Sequence, residues 1–188
     1  MTSHSRMIVR QLATPLGPMV AVAGERGLCL LEFARGTRPA VRIRHPHERD
    51  GVPLVRGTNA HLDLLARELR AYFAGRLRKF HVRLAPEGTP FQLAVWRRVR
   101  AIRYGRVSTY GRVARELRRP GAQRAVGRAN GDNPLSIVIP CHRLVGADGA
   151  LRGYGGGLWR KRRLLELEGA IATASRERGA RARRSRSA

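Results

Sequence analysis

Cysteine, lysine, acidic side chains and long apolar runs are all scarce in this sequence of 188 residues. Its two cysteines, Cys29 and Cys141, exclude the disulfide framework that holds small secreted domains together. No apolar run reaches the roughly 20 residues that a transmembrane helix needs, and the N-terminus lacks a charged segment followed by an apolar one. We therefore expect an intracellular, cytoplasmic protein with reduced thiols and no membrane partner.

The acidic residues number 13 against 38 Lys and Arg, which gives a formal net charge of +25. Only Lys79 and Lys161 are lysines, so arginine carries almost all of the positive charge. Such an excess is typical of proteins that bind a polyanion, with nucleic acid as the first candidate and an anionic membrane as the second. An arginine-rich but merely solvated surface is the alternative that charge alone leaves open.

The first half of the chain predicts a small α/β domain over residues 1–84. Three short strands are expected within residues 7–33, and the Arg-, Pro- and His-rich residues 34–57 predict a loop with at most one more strand. Leucines at helical spacing predict a helix over residues 59–75, and a strand is expected within residues 80–88. This half contains no recognisable catalytic cluster.

The second half predicts a mainly helical domain over residues 85–171. Three helices are expected, over residues 89–102, 108–119 and 122–130, and a tight Pro-Gly turn joins the last two. Two short helices joined in this way are a candidate helix-turn-helix. Residues 172–188 contain six arginines and no large apolar residue, so they predict a disordered tail that is attracted to phosphate.

The segment "LSIVIP", residues 135–140, predicts a buried strand that runs directly into Cys141. Pro140 donates no backbone hydrogen bond, so the strand is expected to end there. A base at His142 would favour the reactive thiolate, but neighbours in an extended chain point to opposite faces. Contact between the two side chains therefore needs a bridging water or a bend. Without a base, a lone cysteine at a strand end is more often a small core residue than a nucleophile.

A histidine that acts as a base also needs an orienting group on its other ring nitrogen. Carboxylates are few in this half, and the predicted last helix offers two of them, Glu166 and Glu168. Spacing alone does not choose between them.

Five motifs, "TPFQLAVW", "VSTYG", "RRPGAQRAVGRANGDNP", "SIVIPCHRLVG" and "GYGGGLWRKRRLLELEG", carry a resemblance to a known family. In order and spacing the chain resembles the methylated-DNA–protein-cysteine methyltransferases, or O6-alkylguanine-DNA alkyltransferases, from about Thr89 to Gly169. The first half is similar only in general plan. The resemblance implies an α/β N-terminal domain and a mainly helical C-terminal domain with a winged-helix-like helix-turn-helix and an active-site strand.

The resemblance also implies the function, which is DNA repair by a suicide reaction. The alkyl group of O6-alkylguanine in double-stranded DNA moves once to the protein's own cysteine, without a cofactor. O4-alkylthymine is left open as a second substrate. We expect a monomer, with cooperative assembly on DNA left open.

Five residues match the family's catalytic positions: Cys141, His142, Glu168, Tyr110 and Lys161. The resemblance implies that Cys141 is the nucleophile, that His142 takes its proton through a water, and that Glu168 orients this histidine. Tyr110 would donate a hydrogen bond to the departing base, and the charge of Lys161 would favour the thiolate. The ordinary alternatives for these two are a core aromatic and a solvated helix lysine.

Three further residues match the family's substrate pocket. The backbone carbonyls of Leu144 and Cys141 would accept hydrogen bonds from the guanine amino group. Tyr154 and Gly155 would line the pocket wall. Many relatives have a small residue where Arg152 stands, so the resemblance leaves the tolerance for bulky adducts open.

The DNA-binding positions implied by the resemblance lie in and just after the second helix of the helix-turn-helix: Ala122, Arg124, Ala125, Gly127 and Asn133. The target nucleotide must leave the duplex before attack, and the family flips it from the minor groove. Small residues let the helix approach a groove only about 6 Å wide. Arg124 would fill the space of the flipped base, and Asn133 would join this helix to the active-site strand.

No metal site is expected, because Cys29 is the only cysteine in the first half and His45 and His47 lack a second thiol partner. Three other functions compete with alkyl transfer. A sensor that flips alkylguanine without chemistry would not need Cys141. A cysteine hydrolase would not need the basic helix-turn-helix, and a transcription factor would carry longer polar side chains on its recognition helix than this Ala/Gly face.

Overall fold

A computed structural model of the chain describes residues 6–34 and 54–172. His45, His47 and nearly all of the predicted tail therefore lie outside the described residues. The N-terminal part contains four strands: β1 (Met7–Leu12), β2 (Met19–Gly24), β3 (Gly27–Phe33) and β4 (Leu54–Arg56). They form one sheet in the order β3-β2-β1-β4, in which β4 runs parallel to β1 and the other pairs are antiparallel. The three predicted strands and the additional one are confirmed.

Helix α1 (Ala60–Phe73) packs against β2 and β3 of this sheet. The side chain of Asn59 caps the helix by accepting a hydrogen bond from the backbone N–H of Leu62. Leu62, Leu65 and Leu69 recur at helical spacing and are buried, as their pattern predicts. Tyr72 follows on the same face and is fully buried, which brings an N-terminal side chain to the boundary with the second half.

The C-terminal part contains four helices and two short strands: α2 (Pro90–Arg100), β5 (Ser108–Thr109), α3 (Tyr110–Glu116), α4 (Gln123–Gly131), β6 (Leu144–Val145) and α5 (Leu158–Leu167). Helices α2, α3 and α4 pack on one another, and β5 pairs in parallel with β6. Thr89 and Gln92 form a reciprocal capping box at the start of α2. No helix among the described residues is long and apolar enough to cross a membrane.

The predicted strand within residues 80–88 is wrong. A single bridge, between Leu84 and Leu28, is the only sheet pairing in that stretch. The backbone of Arg83 and Ala85 bonds to Leu28 on both sides of this bridge. Two backbone hydrogen bonds connect this segment to β3. The segment then continues as a linker into α2.

The predicted active-site strand over residues 135–140 is also wrong, although the apolar run is buried as expected. The Asn133 side chain accepts from Leu135 N and donates to Ile139 O, which folds the run into successive turns. Ile137 adopts a left-handed backbone with φ of +72°. These local bonds compete successfully with sheet pairing, because Leu135 alone bridges to Leu31. Residues 141–143 then form a 3₁₀ turn, so Cys141 lies in a bend instead of at a strand end.

One hydrophobic core extends across the two parts of the chain and includes residues from the sheet and from every helix. Arg160 of α5 strengthens the junction with two contacts to the N-terminal part. Its Nε donates to the carbonyl of Leu16 at 2.7 Å, and its guanidinium lies 4.5 Å from the ring centre of Phe33. The two parts are therefore held together where they meet the cavity described below.

Candidate active site

A cavity of about 240 Å³ opens beside Cys141. Its lining comes from β3, α3, α4, the turns before Cys141 and the glycine-rich loop before α5: Glu32, Phe33, Tyr110, Gly127, Asn130, Gly131, Asn133, Ser136, Cys141, Gly153, Tyr154, Gly155 and Gly156. Six of the residues singled out in the sequence are among them: Tyr110, Gly127, Asn133, Cys141, Tyr154 and Gly155. These six residues, which come from distant parts of the chain, therefore share one concave surface.

Cys141 is buried at the wall of this cavity, with a relative exposure of 5%. Its backbone N–H bonds to Ile139 O at 2.8 Å, and its carbonyl accepts from the side-chain amide of Asn130 at 3.3 Å. Burial raises the pKa of the Cys141 thiol, whereas a hydrogen bond from Asn133 and the charge of Lys161 act in the opposite direction. The thiol is thus held in place and stays protonated until a base removes its proton.

His142 and Glu168 form a fully buried pair, with 2.9 Å between Nε2 and Oε1. Because a carboxylate accepts, the Nε2–H of the imidazole donates, and the lone pair of the neutral ring resides on Nδ1. This Nδ1 is buried and has no hydrogen-bond partner among the residues that the structure describes. Burial lowers the pKa of His142 despite the nearby carboxylate. The result is a neutral imidazole, next in sequence to the thiol, whose Nδ1 accepts no hydrogen bond from the described residues.

Glu168 is held by a buried fork from Arg143, which the sequence reasoning missed. Nε of Arg143 donates to Oε2 and its Nη2 donates to Oε1, both at 2.8 Å. Burial raises the pKa of Glu168, but the hydrogen bonds from His142 and Arg143 outweigh burial and lower it to about 2. The other sequence candidate, Glu166, instead pairs with Arg163 at 2.9 Å. The structure thus selects Glu168 as the partner of the histidine.

Lys161 of α5 is fully buried and is not among the residues that line the cavity. Its ammonium donates to the carbonyls of Leu144 and Arg152, each at 2.6 Å. Burial lowers the pKa of Lys161 to about 8, and the nearby thiol opposes that change. Leu144 does not line the cavity, and its carbonyl already accepts from Lys161. A carbonyl oxygen has two lone pairs, so the predicted role of that carbonyl in binding guanine stays a prediction.

Tyr110, the first residue of α3, lines the cavity. Its hydroxyl donates to the carbonyl of Arg152 at 3.2 Å. Burial raises the pKa of Tyr110, so the phenol remains a hydrogen-bond donor at neutral pH. Gly127 faces this ring, because a Cβ there would lie 3.8 Å from Tyr110 Cδ1. The small residue leaves the tyrosine room beside the cavity.

Comparison with known proteins gives the same result over nearly the whole described chain. The family model for the 6-O-methylguanine DNA methyltransferase DNA-binding domain matches residues 90–170, and the model for its ribonuclease-like domain matches residues 7–86. The chain belongs to the 6-O-methylguanine DNA methyltransferase family. The predicted family, its alkyltransferase class and its DNA repair function are confirmed. The family resemblance also extends through the first half, where the sequence motifs indicated only a similar general plan.

Individual relatives of this methyltransferase family match along most of their length. A methylated-DNA–protein-cysteine methyltransferase of Methanosarcina acetivorans is 43% identical over 83% of this chain and 94% of its own. One of Mycobacterium tuberculosis is 54% identical over 57% of this chain and 65% of its own. A crystal structure of Mycobacterium tuberculosis OGT in complex with DNA is similar with a TM-score of 0.74 and 40% identity, over 89% of this chain and 96% of that one.

The N-terminal part of this family member contributes side chains to the site that sequence reasoning missed. Phe33 and Glu32, at the end of β3, line the cavity. Tyr72 of α1 donates its hydroxyl proton to Oε1 of Glu168 at 2.7 Å. No local signal distinguishes Tyr72 from other core aromatics, because the two residues meet across 96 positions of sequence.

The small side chains of α4 divide between two environments. Val126 and Ala129 are buried in the core, whereas Arg124 and Ala125 are exposed. Ala122, just before the helix, is partly buried and packs against the core. The sequence predicted one helix face of small side chains. In the structure these side chains lie on two faces of α4, one packed in the core and one exposed, and Arg124 lies on the exposed face.

No group of three or more potential metal ligands occurs within residues 6–34 and 54–172. Cys29 is buried, its thiol donates to the carbonyl of Val22 at 3.1 Å, and burial raises its pKa to about 12. A thiol with so high a pKa is unreactive near neutral pH. Cys29 therefore serves as a natural internal comparison for Cys141.

Proposed function

We propose that Cys141 is the residue that accepts the alkyl group from O6-alkylguanine in DNA, once per molecule. One observation carries the proposal: Cys141 lines the cavity, and the next residue is a buried imidazole whose Nε2 is held by Glu168 and whose Nδ1 bonds to none of the described residues. A sensor without chemistry would not need the cysteine at all.

The proposed reaction is a displacement at the alkyl carbon. The proton of the Cys141 thiol passes through a water to Nδ1 of His142, and the resulting imidazolium is stabilised by ionised Glu168. The thiolate sulfur forms a bond to the alkyl carbon while the bond from that carbon to O6 of guanine breaks. Guanine leaves as an anion and regains a proton on its ring. The thioether is stable, so the protein is consumed.

Two further side chains would support this step. The phenol of Tyr110 faces the cavity and would move its hydrogen bond from Arg152 O to the leaving base, whose negative charge develops in the transition state. The buried ammonium of Lys161 would add positive potential for both the thiolate and the leaving guanine. Tyr154 and Gly155 would form the pocket wall beside the base.

For DNA binding we propose that α3 and α4 act as a helix-turn-helix whose second helix enters the minor groove. Exposed Arg124 would occupy the place of the flipped nucleotide, with Ala125 close to the groove floor. Ala122 and Gly127 would limit the width of the helix, and Asn133 would tie it to the turn before Cys141. The partner is then double-stranded DNA that contains O6-alkylguanine.

We also propose how the chain is organised. The chain divides into an N-terminal domain over residues 1–84, an alkyltransferase and DNA-binding domain over residues 85–171, and a tail over residues 172–188. We also propose that it acts as a monomer, with cooperative assembly on DNA as the alternative.

The stoichiometry of methyl loss from DNA tests this function. The protein is mixed with a several-fold excess of duplex DNA that contains one O6-methylguanine, and repaired duplex is counted over time. Transfer to the protein predicts a burst that stops at one repaired duplex per protein molecule. Continued turnover would indicate a hydrolase, and binding without repair would indicate a sensor.

A further inference from the structure

We propose that Tyr72, on α1 of the N-terminal part, is a positioning residue that sets the basicity of His142 through Glu168. This inference rests on the proposed transfer to Cys141, in which His142 takes the thiol proton. It gives the N-terminal part a role in the chemistry beyond packing. The one contact that carries it is the hydrogen bond between the Tyr72 hydroxyl and the carboxylate that also holds the histidine.

The geometry makes Tyr72 and His142 compete for one oxygen atom. Oε1 of Glu168 accepts from Tyr72 Oη at 2.7 Å, from His142 Nε2 at 2.9 Å and from Arg143 Nη2 at 2.8 Å. Oε2 accepts only from Nε of Arg143 among the described residues. Tyr72 is fully buried, so water does not replace its hydroxyl as donor.

A hydrogen-bond donor to Oε1 weakens the stabilisation that the Glu168 carboxylate gives to the imidazolium form of His142. The negative charge of Glu168 favours the imidazolium form of His142, and each additional donor disperses that charge. Removal of the Tyr72 hydroxyl leaves more of the charge to Nε2–H and so raises the pKa of His142. A more basic histidine is protonated at a higher pH, and a protonated histidine no longer accepts the proton of Cys141.

Charged and titratable groups on every neighbouring element influence the pKa of His142. Tyr72 differs from the charged groups because it is neutral and bonds directly to the Glu168 carboxylate. Arg143 is the charged group of the 3₁₀ turn, and Lys161 of α5 lowers the pKa of His142 by its charge. Tyr104, in the loop after α2, lies with its ring centre 6.1 Å from that of Tyr72 and donates to Leu167 O instead. Arg78 lies over the ring of Tyr104.

The test compares Tyr72→Phe with Tyr104→Phe, because each variant removes one phenol hydroxyl from the same aromatic cluster. Single-turnover methyl transfer from duplex DNA is measured from about pH 4.5 to about pH 8, the range in which a histidine titrates. For Tyr72→Phe we expect the acidic limb of the rate profile to move upward by about 0.5 pH unit, which slows transfer about threefold on that limb. For Tyr104→Phe we expect the wild-type limb.

A second variant reverses the sign of the effect without removing a contact. Incorporation of 3-fluorotyrosine at position 72 keeps the ring and the hydroxyl but makes the hydroxyl a stronger donor. We expect the acidic limb to move to lower pH than in the wild type. This variant keeps the proposal testable if Tyr72→Phe does not fold.

A readout that needs no transfer separates this inference from the proposed function. The imidazole of His142 is titrated by nuclear magnetic resonance in the free protein, and its pKa should rise in Tyr72→Phe alone. If the wild type transfers no methyl group, the proposed function fails while this titration still decides the role of Tyr72. An unchanged His142 titration in Tyr72→Phe, or an equal change in Tyr104→Phe, would overturn the proposal.

Discussion

Oε1 of Glu168 lies 2.9 Å from Nε2 of His142, and both side chains are fully buried. Burial favours the neutral form of each group. Glu168 nevertheless stays ionised, because Arg143 donates two hydrogen bonds to its carboxylate. Glu168 is therefore ionised and His142 is neutral at physiological pH. The pH dependence of folding stability follows from that assignment.

Glu168→Gln should reduce the loss of stability on acidification. The folded protein lowers the pKa of Glu168 from 4.5 to about 2, so the stabilisation is present above pH 4.5 and disappears as the pH falls through 2. A shift of this size corresponds to about 3 kcal/mol over the whole window. Urea unfolding at about pH 7 and about pH 3 measures the part of this loss that falls above pH 3, about 2 kcal/mol. The matched control is Glu116→Gln, which changes an exposed pair with Arg112. An equal acid dependence in both variants would contradict the assignment.

Lys161→Met should make Cys141 a weaker nucleophile near neutral pH. The charge of Lys161 lowers the pKa of the thiol, and methionine keeps the length of the side chain without that charge. We expect alkylation of Cys141 by iodoacetamide at pH 7 to slow by about threefold or more, because each pKa unit changes the thiolate fraction about tenfold. The wild-type advantage should shrink as the pH rises through 8, where Lys161 loses its proton. Lys79→Met replaces the only other lysine, which is exposed, and should react like the wild type.

Arg124→Ala should slow methyl transfer from duplex DNA by about tenfold or more, because the flipped state loses the side chain that fills the vacated space. The reaction with the free base O6-methylguanine should stay unchanged, since no flipping is needed. Arg163→Ala is the control, because it removes the same charge from an exposed arginine on α5. Equal losses in the two variants would show that Arg124 contributes only general attraction to phosphate.

Much of the fold follows from local patterns in the sequence. The three N-terminal strands and the helices α1, α2, α3 and α4 have clear periodicity or capping signals, such as Thr89 before Pro90. The strand expected over residues 135–140 failed for a physical reason. An apolar run only shows that a segment is buried, and Asn133 turns this one by bonding to its backbone at two points.

The site divides in a similar way between what motifs predict and what only the fold brings together. Cys141, His142 and Tyr110 lie in motifs that resemble a known family, and the structure gathers the first two with Glu168. Arg143 lies in the same motif as Cys141 and His142, but the motif does not show that its guanidinium is buried against Glu168. Tyr72 meets Glu168 only because the sheet and α1 pack against the second half.

Peptide mass spectrometry after reaction with duplex DNA that contains one O6-methylguanine tests the central claim most directly. Trypsin places Cys141 in the peptide of residues 129–143, separate from the peptide that contains Cys29. We predict that the Cys141 peptide gains the mass of one CH₂ group, to one equivalent and no further, while the Cys29 peptide stays unchanged. Repaired DNA together with an unmodified Cys141 peptide, or a methyl group on Cys29, would contradict the account.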